Sequence, residues 1–327
     1  MFAQPSDRAH RVRSQSTSQP DLLLVNPAAG GGLGGETFRK LRDFVEQQHW
    51  AVDLILTESV FDFTQKALQA AAEGRERVIA VGGDGTFQVL LNAVRDYPQV
   101  ALGVIPAGGG NDLAASLGLP HDPIAAAVLL RDGELCALDA VRVRTAEGNE
   151  RLYTGGGGVG LDAEAARYAS ATFRNLRGRR RYLLSAIRAL AGFHAIKTTV
   201  TFADNPTPLH LDKALLACVL NTPSYGAGLS LAPDAKPDDG VLDLVLLEDL
   251  GLWEILGLLP KLAARGELRT KRVSRRPVTR LRIETDPPRS FHGDGEILGT
   301  TPVEISVVPR ACKVLRARRS NFSSDRV

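Results

Sequence analysis

Three short apolar runs that each end in a glycine-rich turn constrain this chain more than any other feature. Residues 22–25 (LLLV) lead into Asn26-Pro27-Ala28-Ala29-Gly30-Gly31-Gly32, and residues 77–81 (RVIAV) into Gly82-Gly83-Asp84-Gly85-Thr86. Residues 101–105 (ALGVI) lead into Pro106-Ala107-Gly108-Gly109-Gly110-Asn111-Asp112. A further run at residues 51–56 and helical patterns near residues 35–48, 63–73 and 86–94 fill the intervals. Apolar strands alternating with helices predict a parallel sheet with crossover helices. Such sheets bind ligands at the carboxyl ends of their strands, so a ligand is expected on these turns.

After about residue 135 the pattern changes to β-rich, with strand candidates at 138–144, 197–202, 214–221, 240–247, 278–285 and 301–309. Several alternate apolar and polar residues, as half-buried antiparallel strands do. The expected fold class is therefore α/β plus β. An N-terminal α/β domain with a parallel sheet spans residues 21–135, and a C-terminal β-sandwich domain spans residues 136–315. Residues 1–20 read as a flexible leader and 316–327 as a C-terminal tail. Helical insertions are expected at 161–192 and 251–266.

The 327 residues suffice for two domains with their own cores, and 40 Lys+Arg against 37 Asp+Glu leave a net charge of only +3. That balance argues against a nucleic-acid partner. Cys136, Cys218 and Cys312 are odd in number and far apart, which points to a reducing, cytoplasmic compartment rather than to disulfides or a zinc site. Apolar stretches such as 214–220 fall short of the ~18 residues that a membrane-crossing helix needs.

Each motif has a chemical reading and a plain one. Glycines after the first strand free backbone N–H groups to face an anion, but a mobile turn would look the same. Gly82-Gly83-Asp84-Gly85-Thr86 is sharper: two glycines allow phosphate to approach the backbone, Asp84 supplies a carboxylate, and Thr86 can cap the next helix. It ends in no Gly-Lys-Ser/Thr and lacks the dinucleotide G-x-G-x-x-G spacing. Asn111 or Asp112 is expected to cap the helix after the third turn. Near the end, His292-Gly293-Asp294-Gly295-Glu296 separates two strand patterns. If it is extended, Asp294 and Glu296 project to one side and can orient a hydroxyl and a magnesium ion. The plain alternative is an Asp-Gly hairpin turn.

Taken in order, NPAAG, GGDGT, PAGGGNDLA and DGE resemble the diacylglycerol kinase catalytic-domain superfamily, especially its soluble bacterial lipid kinases, with sphingosine kinases more distant. The resemblance runs from about residue 21 to residue 314. It implies a nucleotide cleft between the two domains, with ATP as donor, Mg2+ as its partner ion and a lipid hydroxyl as acceptor. The nucleotide contacts it implies are Asn26, Pro27, Gly30, Thr57, Gly82, Gly83, Asp84, Gly85, Thr86, Gln88 and Gly109. Asp294 is the implied catalytic carboxylate, with Glu296 beside it and Asp84 as the competing base. Asp139 matches an acidic position at the start of the second domain. A structural magnesium is implied on the carbonyls of Lys236 and Val241 and the side chain of Asp239. Two positions depart from the pattern: Gln88-Val89 stands for a usual Asn-Glu, and Gly109 for a common threonine.

A lipid acceptor requires contact with a membrane. The basic stretch Arg174, Arg177, Arg179, Arg180 and Arg181 and the apolar segment from Leu250 to Leu256 are candidates for reversible contact with an anionic surface. A solvated arginine face and a packed helix are the plain alternatives. The reading is thus a cytoplasmic, peripherally membrane-associated lipid kinase, with a homo-oligomer left open. An NAD kinase-like enzyme, which would share GGDGT, and a nucleotide-binding regulator without transfer activity are the competing readings.

Overall fold

The computed structural model describes residues 9–11, 19–172, 184–185, 188–189, 194–205, 207–226, 228–248, 250, 254 and 271–318. The arginine stretch at 174–181, half of the helical insertion expected at 161–192 and all but residue 254 of that expected at 251–266 lie outside them.

The first unit has the order β1 (Ala9–Arg11), β2 (Asp21–Val25), α1 (Ala29–Gly32), α2 (Gly34–Gln47), β3 (Val52–Leu56) and α3 (Val60–Ala72). β4 (Arg77–Gly82), α4 (Asp84–Val94), β5 (Ala101–Pro106), α5 (Asp112–Ser116) and α6 (Pro123–Arg131) follow. β3, β2, β4 and β5 pair in that order, all parallel, as the alternation predicts. Leu23, Leu24, Val25, Ile79, Ala80, Val81 and Ile105 have no exposed surface, because helices cover both faces of the sheet. β1 lies within the segment read as a leader and pairs antiparallel with β3.

The second unit is built on antiparallel strands: β6 (Glu134–Thr145), β7 (Glu150–Tyr153), β8 (Gly156–Gly160), β9 (Ile196–Phe202) and β10 (Leu209–Leu220). β11 (Ser224–Tyr225), β12 (Leu229–Ser230), β13 (Leu242–Glu248), β14 (Val273–Val278) and β15 (Arg280–Asp286) continue it. β16 (Ser290–Gly293), β17 (Glu296–Thr300) and β18 (Val303–Arg316) complete it, and helix α7 (Leu161–Ala171) follows β8. β13 shows why a β-rich sequence makes layers here. Leu242, Leu244 and Leu246 enter one core while Val245 and Leu247 enter another, the period-two alternation of a strand buried on both faces. The α/β unit followed by a β-rich unit is the fold class that the sequence predicts.

One strand joins the units. The first half of β18 pairs with β15 and β6. After a register break between Val308 and Cys312, where Arg310 has φ 51°, Lys313 and Val314 pair in parallel with Ala101 and Leu102 of β5. Lys313 and Val314 therefore add the end of β18 to the edge of the first sheet, while residues 312–316 stay paired with β6 on the other side. Among the described residues no helix is long and apolar enough to cross a membrane.

Side chains of α4 hold the second unit against the first. Asn92 Nδ2 donates to the Leu152 carbonyl at 2.8 Å, and Asn92 Oδ1 accepts the Leu152 N–H at 3.0 Å. Such a bidentate grip replaces a neighbouring strand for β7, which among the described residues pairs only with β6. Asn92→Ala strands both partly buried groups and is expected to cost about 1–3 kcal/mol. A lower urea midpoint would register that loss; an unchanged one would show that other contacts fix β7.

Candidate active site

The turn after β2 is locked by a single side chain. Asn26 Oδ1 accepts the Ala28 N–H at 2.9 Å, and Asn26 Nδ2 donates to Thr86 Oγ1 at 2.9 Å. This ties the NPAAG and GGDGT turns together. Thr86 therefore does not cap α4 as expected. It sits inside the helix, and Gly83 occupies the N-cap position with no side chain to contribute. Gly30, Gly31 and Gly32 all have left-handed backbones (φ 62°, 76° and 95°), a run that glycine alone adopts cheaply.

The GGDGT and PAGGG turns touch backbone to backbone. A Cβ on Gly108 would lie 2.5 Å from the Cα of Gly83, so neither loop tolerates a side chain at the crossing. Asn111 closes its own loop, accepting the Gly108 N–H and donating to the Gly108 carbonyl, each at 3.0 Å. Neither Asn111 nor Asp112 caps α5, contrary to the sequence expectation. The cap comes from Asp84, whose carboxylate accepts the N–H groups of Asp112 (3.2 Å) and Leu113 (3.0 Å). Burial, reinforced by the nearby carboxylates of Asp112 and Asp294, holds the Asp84 pKa well above the usual carboxylate range. Asp112 in turn accepts the Ser224 hydroxyl (2.8 Å) and the Gly228 N–H (2.9 Å), anchoring the β11–β12 hairpin of the second unit.

Asp294 reaches the same place from the other side. Asp294 and Gly295 form a two-residue hairpin turn between β16 and β17, with φ of 50° and 86°. The extended arrangement that would project Asp294 and Glu296 side by side is therefore not formed. The Asp294 carboxylate turns onto the backbone of residues 154–156. It accepts N–H bonds from Thr154 (2.9 Å), Gly155 (2.9 Å) and Gly156 (3.3 Å), and a Thr154 hydroxyl bond at 3.3 Å. Burial raises its pKa to about 6, with these donors pulling it back toward the ordinary value. Glu296 is exposed at the start of β17 and overhangs the GGDGT turn, its Oε1 3.1 Å from where a Gly85 Cβ would be. Gln88, deep in α4, donates to the Gly293 carbonyl at 3.2 Å and so sets the height of this turn.

Between these elements lies a cavity of about 920 Å3. Asn26, Gly30, Gly83, Asp84, Gly85, Thr86, Gln88, Gly109, Asp294 and Glu296 all line it, as do the departing residue Val89 and the side chain of Arg151. Pro27, Thr57 and Gly82 do not. Thr57 is buried, with its hydroxyl donated to the Val25 carbonyl at 3.0 Å. Lys236, Asp239 and Val241 also lie away from the cavity. Their loop is tied down by buried Asp139, which accepts N–H bonds from Gly240 (2.6 Å) and Arg310 (2.7 Å). Asp239 Oδ1 accepts the Val241 N–H at 3.0 Å, leaving its second oxygen and the loop carbonyls as the donors offered to a cation. Those are oxygen donors of the kind a hard cation takes. Among the described residues no group of three His, Cys, Asp or Glu side chains is arranged to hold a metal ion.

Residues 154–156, Asn92 and Arg151 escape the sequence reading. Their signal was the glycine run 155–158, which belongs to a central strand, not a loop. A Cβ on Gly157 would lie 2.4 Å from the His292 carbonyl oxygen, and one on Gly158 2.6 Å from that of Ala217. The strand is glycine-rich because β10 and β16 close on it from both sides.

Comparison with known proteins covers both units. Residues 20–143 match the diacylglycerol kinase catalytic domain, and residues 155–316 match the YegS C-terminal NAD kinase beta sandwich-like domain. A diacylglycerol kinase of Mycobacterium tuberculosis is 30% identical over 90% of this chain and 94% of its own, and one of Staphylococcus saprophyticus is 26% identical over 86% and 90%. The fold is shared with two Bacillus anthracis structures. A diacylglycerol kinase superposes with TM-score 0.69 at 20% identity, covering 93% of this chain and 99% of that one, and a second structure reaches 0.73 at 22% with the same coverage. Identity of 30% sustained along nearly the whole of both chains goes beyond a common fold, and this protein is a kinase of the diacylglycerol kinase family.

Proposed function

We propose that the protein transfers the γ-phosphate of magnesium-bound ATP to the hydroxyl of a membrane lipid, diacylglycerol or a related lipid alcohol. The observation that carries this reading is the single cavity in which glycine-rich turns of the first unit face the Asp294 carboxylate of the second. Its volume suits a nucleotide together with the polar end of an acceptor. Glycines 30–32, 83, 85 and 109 offer backbone to the phosphates, near the N-termini of α2 and α4. Asp84 and Glu296 supply oxygens to the magnesium that travels with ATP, which spreads the charge of the transferring group. A structural magnesium on the carbonyls of Lys236 and Val241 and the free oxygen of Asp239 belongs to the same reading.

Asp294 is the base of this reading. With a pKa of about 6 it is mostly ionised at neutral pH and accepts the hydroxyl proton as attack proceeds. Asp84 is the competing base, a carboxylate among the phosphate turns that also caps the N-terminus of α5. In this reading residues 21–135 handle the nucleotide and residues 136–315 the lipid, which the protein lifts from an anionic membrane surface on the cytoplasmic side.

Asp294→Asn should lower kcat by about 10² to 10⁴ while ATP affinity stays within a few-fold. In the wild type, protonation below pH 6 removes the base. Transfer to lipid vesicles should therefore rise about tenfold per pH unit up to pH 6 and then level off. A flat profile from pH 5 to 8 together with a fully active Asp294→Asn enzyme would exclude this base. Asp84→Asn should weaken ATP binding and also cost about 0.5–2 kcal/mol of stability through the lost α5 cap, seen as a lower melting temperature.

A further inference from the structure

The side chains that line the cavity pose an electrostatic problem for the ligand just assigned to it. Asp84, Asp294 and Glu296 bring three carboxylates, and among the described lining residues Arg151 is the only Lys, Arg or His. The glycine-rich turns contribute backbone dipoles but no charge. Arg151 is exposed and, among the described residues, is in no ion pair; Nη1 makes a long 3.3 Å bond to the Glu150 carbonyl. The remaining donors of its guanidinium fork are suited to a phosphate.

Its backbone, by contrast, is rigidly set. Arg151 lies on β7, which pairs with β6, and the next residue, Leu152, is held at both its N–H and its carbonyl by Asn92 of α4. Three residues further along, a strand distance of about 10 Å, Thr154 donates to Asp294. A long cationic side chain is thus mounted on a fixed edge within reach of the reacting end of the cavity.

We infer that Arg151 is a phosphate-binding cation of this cavity, gripping a phosphoryl group either on the nucleotide or on the phosphorylated lipid. The inference rests on the preceding reading only for which molecule carries that phosphate. Its chemistry is oxyanion recognition by a guanidinium, which lysine reproduces in charge but not in geometry.

Binding of Mg-ATP, of inorganic pyrophosphate and of vesicles containing phosphatidic acid, measured calorimetrically on wild type, Arg151→Ala and Arg151→Lys, tests it. Arg151→Ala should melt within 2 °C of wild type, because the side chain is exposed. It should lose about tenfold or more in affinity for at least one phosphate ligand, with Arg151→Lys recovering part of the loss. Loss confined to ATP and pyrophosphate assigns Arg151 to the nucleotide; loss confined to phosphatidic acid assigns it to the lipid. If wild type binds pyrophosphate but not ATP, and Arg151→Ala loses it, the phosphate site stands while the kinase assignment of the cavity falls. Affinities of Arg151→Ala within twofold of wild type for all three ligands, or a wild type that binds none of them, would overturn the inference.

Discussion

The Asp294 carboxylate, held by three backbone N–H groups and one hydroxyl of residues 154–156, is the interaction on which the rest of this structure depends. It braces a two-residue turn whose left-handed backbone suits Asp-Gly. It also requires glycine at position 155, where a Cβ would lie 2.9 Å from Asp294 Oδ1. A group bound this strongly would ordinarily have a depressed pKa. Burial outweighs the donors, and the net result near 6 leaves a carboxylate that is charged at neutral pH yet still able to take a proton.

The two units share an apolar cluster, which Leu138, Ala140, Leu152, Val314 and Leu315 of the second unit enter, and around the cavity they are joined by polar groups. Asn92 holds β7, Gln88 holds the Gly293 carbonyl, and Asp112 holds the β11–β12 hairpin. Each is a side chain of the first unit bonded to the second unit around the cavity. Hydrogen bonds of this kind contribute little net stability but are costly to break halfway, which makes the relative placement of the units well defined. Asp84 has a parallel task within the first unit, where it caps a helix that begins one turn away from the phosphate loops.

Much of this was legible in the sequence. The parallel strands announced themselves as continuous apolar runs, and the three glycine turns fell at their carboxyl ends, where the cavity is. Local chemistry was read less well. Thr86, Asn111 and Asp112 look like helix caps, but Thr86 and Asp112 bond partners distant in sequence, Asn111 turns back onto Gly108, and propensity cannot see a cap supplied by Asp84 from another loop. Asp294-Gly295 was undecided between an extended pair and a hairpin turn, and proved to be the hairpin while keeping both carboxylates at the cavity. Glycines 155–158 concealed a central strand, since a residue without a side chain carries no hydrophobic alternation. Arg151 gave no signal because its meaning lies in its position in space, on the cavity wall beside carboxylates distant in sequence.

The claim common to these points is that one ligand site is assembled from both units. Hydrogen–deuterium exchange with and without Mg-ATP tests it most directly, because the backbone groups concerned are spread over the chain. Protection should appear together in residues 28–33, 82–88 and 106–113 of the first unit and in 293–296 of the second. Protection confined to the first unit, with 293–296 unchanged at saturating nucleotide, would contradict a shared site.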